Sequence, residues 1–82
     1  MSKRYVKKQE KRWMRVICKI VVQIYDLDDF IHKEVDKGPY RHEWDWREAH
    51  PGVKEKLERQ YDAAVKKWDY YCRKRINMEK NK

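Results

Sequence analysis

Trp13-Met14-Arg15-Val16-Ile17-Cys18-Lys19-Ile20-Val21-Val22-Gln23-Ile24-Tyr25-Asp26-Leu27-Asp28-Asp29-Phe30-Ile31 is the stretch whose reading decides the fold. Within it Trp13, Ile17, Ile20, Ile24, Leu27 and Ile31 follow one another at spacings of 4, 3, 4, 3 and 4. Residues three and four apart share one face of an α-helix, so these six form a continuous apolar seam. Met14, Val16, Val21, Val22, Tyr25 and Phe30 widen the apolar surface, and between Val16 and Tyr25 only Lys19 and Gln23 are clearly polar. The density of β-branched residues would also suit a strand. No second run of that character exists to pair with it, however, and a lone strand leaves its backbone unsatisfied. The stretch reads as a central helix that needs cover on more than one side.

Towards the N-terminus the helix is led in by Lys3, Arg4, Lys7, Lys8, Lys11, Arg12 and Arg15, with Glu10 the only acid. Ser2 is placed to act as an N-cap, and the first turns are expected to fray. Towards the C-terminus the seam stays in phase through Asp26-Leu27-Asp28-Asp29, which predicts one unbroken helix over about 4–36. Gly38-Pro39 ends it, because Gly accepts the left-handed residue after a helix and Pro cannot continue one. The connection covers 37–50, and Asp45 followed by Glu48 resembles a capping box that predicts a short helical turn there. Pro51 fits the first position of a second helix over about 51–77, with 78–82 fraying. That helix carries Val53, Leu57, Tyr61, Ala64, Trp68, Tyr71 or Cys72, and Ile76 at helical spacing. Glu55–Arg59, Asp62–Lys66 and Asp69–Arg73 support it as acid-to-base pairs at i,i+4.

The two seams match in one antiparallel register. Ile31 pairs with Val53, Leu27 with Leu57, Ile24 with Tyr61, Ile20 with Ala64, Ile17 with Trp68 and Trp13 with Tyr71, each pair of numbers adding to 84 or 85. The expected fold is therefore all-α: a single small domain over 1–82, an antiparallel hairpin of two long helices with a short helical turn in the connection. Such a hairpin covers one side of the first helix only. Met14, Val21, Val22 and Tyr25 are left over, which predicts a second copy closing a four-helix bundle, the 40–50 segment folding over them, or a protein partner.

A chain of 82 residues with a net charge of +8 and 44% charged residues favours polyanionic partners. Folding back gathers the charge at one end. Residues 1–19 and 66–82 hold fifteen Lys/Arg against three acids, a surplus of twelve; residues 20–65 hold seven against eleven, a deficit of four. The leading expectation is a non-enzymatic binding protein whose basic pole docks on nucleic acid or a ribonucleoprotein. Its contact residues are Lys3, Arg4, Tyr5, Lys7, Lys8, Lys11, Arg12, Arg15, Lys67, Tyr70, Arg73, Lys74 and Arg75, the tyrosines offering faces for base stacking. The alternative is a small protein-binding modulator or inhibitor, of the kind phages and mobile elements encode. It would use Tyr40, Arg41, Trp44 and Trp46 in the connection and Met14, Val21 and Tyr25 on the first helix, since aromatics and Arg dominate interface hot spots. Trp44 and Trp46 lie two apart and cannot both face the core; one is expected to seal the tip and the other to stand exposed.

Several chemistries are excluded. His32, His42 and His50 lack the spacing that puts metal ligands on one helix face, so neither metal nor cofactor is expected. Both glycines adjoin prolines, so no Gly-rich phosphate loop exists, and Ser2 is the only serine in a chain without threonine. No enzyme is expected from so small a core. Cys18 and Cys72 have no metal-type spacing and lie five or six positions apart in the antiparallel register, beyond disulfide reach. Lys19, Gln23 and the aspartates after the apolar run argue against a signal peptide or a membrane span. The chain is expected to be soluble and cytoplasmic, with a helix lying in a membrane interface as a minor third reading.

Overall fold

Ser2 starts the first helix. Its Oγ accepts the Tyr5 backbone N–H at 3.1 Å, satisfying one of the donors that a helix start leaves open. A computed structural model describes residues 2–80 and places them in three helices, α1 (Lys3–Asp36), α2 (Glu43–Ala49) and α3 (Val53–Lys80). The described residues contain no strand. α1 runs through Asp26–Asp29 without a break and stops where Gly38 takes φ +105°, its N–H bonding back to the Val35 carbonyl. A side chain at that φ would be strained, so the glycine is required by the turn.

α1 packs on α3. Early residues of α1 meet late residues of α3, Lys3 reaching Glu79 and Glu10 reaching Arg75, and the late Asp28 of α1 meets Lys54 at the start of α3. The short α2 lies against α1 near the other end, where Trp46 meets Phe30 edge-on at 6.4 Å. The result is a rod of 60 × 16 × 15 Å. Its core is thin. Val6, Ile20, Ile31, Trp46 and Ala64 are the buried apolar residues, and most of the remaining seam is half-buried.

Four expectations are corrected by this arrangement. First, the lead-in is well-formed helix, and Val6 in the middle of it is the most deeply buried residue, at 0% exposure. Val6 stands seven residues before Trp13, hence on the seam itself. Second, α3 begins at Val53, because Pro51 and Gly52 form a turn with Gly52 at φ +83°. Val53 is consequently 45% exposed in the opening turn, and Lys54 is buried beside it instead. Third, Asp45 does not cap α2. His42 is the N-cap, without a side-chain bond, and Asp45 reaches back from the third helical position to accept the Arg41 N–H at 3.2 Å. Fourth, α3 stays helical to Lys80, past the expected end at 77; Asn81 and Lys82 lie outside the described residues. Tyr61 and Ile76, expected on the seam, stand at its exposed edge.

No helix among the described residues is long and apolar enough to cross a membrane.

Candidate nucleic-acid interface and the opposing tip

Helical spacing decides where the basic residues of α1 point. Arg4, Lys7, Lys8, Lys11 and Arg15 step by 3, 1, 3 and 4, which confines them to one sector of a helix turning 100° per residue. That sector lies opposite the face carrying Val6, Ile20 and Ile31. All five side chains are exposed, and Arg12 and Lys19 flank them. Among the described residues none of the seven has a carboxylate within ion-pair distance.

The acids at this end are already engaged. Glu10, whose side chain is 15% exposed, accepts Arg75 Nε at 2.7 Å and the Cys72 thiol at 3.5 Å. Glu79 meets Arg75 and Lys3, and Asp69 meets Arg73 at 2.9 Å. Arg73 and Arg75 are thus tied to carboxylates, which separates them from the open cations Lys67 and Lys74. Lys74 sits over the Tyr70 ring at 5.6 Å, and Tyr70 packs edge-on against Tyr71, as Tyr5 does. Tyr5 and Tyr70 are exposed while Tyr71 is half-buried.

At the other end, cations are enclosed by acids. Lys54 of α3 is bonded to Asp28 of α1 and Glu43 of α2, joining all three helices. Burial alone would lower the Lys54 pKa, but hydrogen bonds and charge from Asp28 and Glu43 outweigh it and hold the ammonium above its ordinary value. Arg47 of α2 meets Glu43, Glu55 and Glu58, the last at 2.8 Å, and so pins α2 to α3. Neither contact was legible beforehand. A lysine or arginine at helical spacing is assigned to solvent, and the signal that places these two is the acids of three separate elements converging on them.

The two tip tryptophans differ. Trp46 is 3% exposed and stacked on His50 at 4.4 Å; it seals the tip and is withdrawn from any contact surface. Trp44 is 69% exposed, with the Arg47 guanidinium 5.1 Å from its ring centre. Arg41 is exposed and Tyr40 half-buried against His50. On α1, Met14 and Tyr25 are exposed and Val21 half-buried.

Cys18 and Cys72 are free thiols. Burial first, and then the charge of Glu10, push the Cys72 thiol above its ordinary pKa. Among the described residues no three His, Cys, Asp or Glu side chains converge as a metal site would require. Comparison of the chain with protein families, with curated proteins and with solved structures finds no match.

Proposed function

We propose that this chain is a small non-enzymatic binding protein that docks on nucleic acid or a ribonucleoprotein through the basic end of its rod. The observation that supports the reading is the stripe Arg4, Lys7, Lys8, Lys11 and Arg15, exposed and without carboxylate partners. Cations that face outward as a row on a rigid helix release counterions when they meet phosphates. In this reading the chain is an antiparallel helical hairpin: its two ends supply the phosphate-binding surface, with Tyr5 and Tyr70 beside it for unpaired bases. The half-open side of the hairpin closes against a second copy as a four-helix bundle.

The test is binding to mixed-sequence RNA and duplex DNA across a salt series, for the native chain and for a Lys7→Glu, Lys8→Glu, Lys11→Glu, Arg15→Glu variant. The native chain should lose affinity steeply with salt, and the variant should lower the salt slope by about four, one for each phosphate contact removed. Equal binding by the two proteins would remove the stripe from the function.

A second reading is favoured by Trp44, whose exposed ring lies 5.1 Å from the Arg47 guanidinium. An exposed aromatic beside an arginine at the end of a rod suits a protein-binding modulator. Trp44→Ala separates the two readings, because it should leave nucleic-acid binding unchanged.

A further inference from the structure

Along one side of the rod the two long helices leave a groove between them. Trp13, Val16 and Ile20 of α1 and Ala63 and Ala64 of α3 give it apolar walls around an open hollow of about 460 Å³. Val16 is half-buried and Ala63 exposed, so the α1–α3 contact ends here on apolar atoms that meet water. Lys19 and Lys67 line the same hollow from opposite helices, and Gln23 and Gln60 stand at its end towards the tip. This side is poor in acids. At about 100° per residue, every acid of α3 (Glu55, Glu58, Asp62, Asp69 and Glu79) points about 120° or more away from Lys67. On α1 the only acid before Gln23 is Glu10, which is turned half a circle from Lys19 and bonded to Arg75. Asp26, the first acid on the Lys19 side, lies past the Gln23 end.

The cations along the groove repeat by seven. Arg12 and Lys19 stand seven apart on α1, and Lys67 and Lys74 seven apart on α3. All four are exposed, and among the described residues none has a carboxylate within ion-pair distance. The Glu10–Arg75 contact sets the register, which brings Arg12 level with Lys74, and Lys19 with Lys67, to within one residue. Seven residues are two helical turns, so the four cations form two facing pairs about 10.5 Å apart along the rod. Such a groove calls for apolar side chains at its centre and carboxylates on both flanks, repeating by seven. A helix with an apolar seam and acids beside it has that pattern, and flanking charges of this kind choose partners in helical bundles. A second copy does not suit this side, because a two-fold pair would set the acid-poor surface against itself. A phosphate chain matches the cations but offers nothing to the apolar walls.

We infer that the groove between α1 and α3 receives an acidic amphipathic helix of a partner protein, its apolar seam on Val16, Ile20 and Ala63 and its carboxylates against Arg12, Lys19, Lys67 and Lys74. The inference needs only the α1–α3 packing. It does not depend on nucleic-acid binding by the stripe from Arg4 to Arg15, which Arg12 and Lys19 flank.

The probe is a labelled peptide of three heptads with Leu at the two core positions of each and Glu at the two flanking ones; a twin carries Lys in place of Glu. By fluorescence anisotropy the native chain should bind the Glu peptide about tenfold or more tightly than the Lys twin, because like charges across an interface repel. A general attraction to a basic chain would give the same order, so two variants locate the site. Lys19→Glu with Lys67→Glu leaves the chain net positive and should reverse the preference. Ala63→Trp fills the groove at an exposed position; it should abolish binding of the Glu peptide while helix content by circular dichroism and binding to mixed-sequence RNA stay as in the native chain. The proposal is overturned if the native chain shows no preference for the Glu peptide, if the double reversal keeps the native order, or if Ala63→Trp still binds the peptide. Loss of RNA binding in Ala63→Trp overturns it as well, by assigning the groove to nucleic acid.

Discussion

The two ends of the rod use positive charge in opposite ways. At the tip, Lys54 and Arg47 have side chains only 11% and 17% exposed, and five carboxylates (Asp28, Glu43, Glu55, Glu58 and, through the Arg41 backbone, Asp45) organise the three helices there. At the basic end, three acids are consumed by Arg75, Arg73 and Lys3, and Arg4, Lys7, Lys8, Lys11, Arg12, Arg15 and Lys19 face water with no carboxylate partner among the described residues. A cation enclosed by acids contributes to folding and is silent towards partners. A cation left without one contributes almost nothing to folding and is free to meet an anion. Net charge alone therefore says little about where a basic protein binds; the distribution of its acids says more.

The tryptophan pair gives the largest contrast between structural and outward-facing residues. Trp46→Ala removes a ring that is 3% exposed, stacked on His50 and edge-on to Phe30. The expected cost is about 3–4 kcal/mol of unfolding free energy, the range for truncating a buried aromatic. In a core this small that is a large share of the total. Trp44→Ala, two residues away, should change stability by less than about 0.5 kcal/mol. Chemical denaturation of both variants is the measurement, and similar costs for the two would mean that the tip is not sealed by Trp46 alone.

Lys54 comes next. Lys54→Met keeps the length of the side chain and removes its charge, leaving Asp28 and Glu43 without their shared cation. Both carboxylates are nearly half exposed and can rehydrate, so the expected loss is about 1–2 kcal/mol, below that of a fully buried pair. The pH dependence has a definite sign. The folded pKa of Lys54 lies above its ordinary 10.5, so the folded state holds the proton more tightly than the unfolded chain does. Its contribution is fully present below pH 10.5 and is lost as pH rises through the folded value. Unfolding midpoints taken from pH 9 to 12 should fall more steeply for the native chain than for Lys54→Met. Parallel curves would show that the clamp contributes nothing through its charge.

These contrasts also mark how far the residues could be read beforehand. The all-helical class, with the first helix packed on the last, was legible because apolar residues recur at spacings of three and four in both long segments and no second β-branched run exists to pair with the first as a strand. The ends of those segments were not. Val6 is masked in the sequence by the seven bases around it, although its distance of seven from Trp13 places it on the seam. Periodicity alone places Val53 in the core because it takes no account of Gly52, whose left-handed φ moves the helix start from 51 to Val53 and leaves Lys54 as the buried residue. The basic stripe of α1 was legible as composition and becomes a surface through its spacing. The neutralisation of Arg73 by Asp69 was legible as an i,i+4 pair, whereas that of Arg75 was not, because Glu10 meets it across 65 positions of sequence.

Glu10 is the exception at the basic end, an enclosed acid among open cations, and the Cys72 thiol beside it measures how far that enclosure reaches. Burial is the main cause that raises the Cys72 pKa, Glu10 adds to it by charge and by the hydrogen bond it accepts, and Arg75 opposes it. Glu10→Gln removes the second cause and leaves the first. In a Cys18→Ser background, the pH profile of Cys72 alkylation should therefore move to lower pH while its midpoint stays above the ordinary 9.0. Arg75→Gln removes the opposing charge and should move the profile the other way. Opposite displacements of this kind follow only if acid, base and thiol form one enclosed group, as the 2.7 and 3.5 Å contacts place them. Two displacements in the same direction would mean that the substitutions merely loosen the α1–α3 packing, and the basic end would then have no enclosed acid to set against the tip.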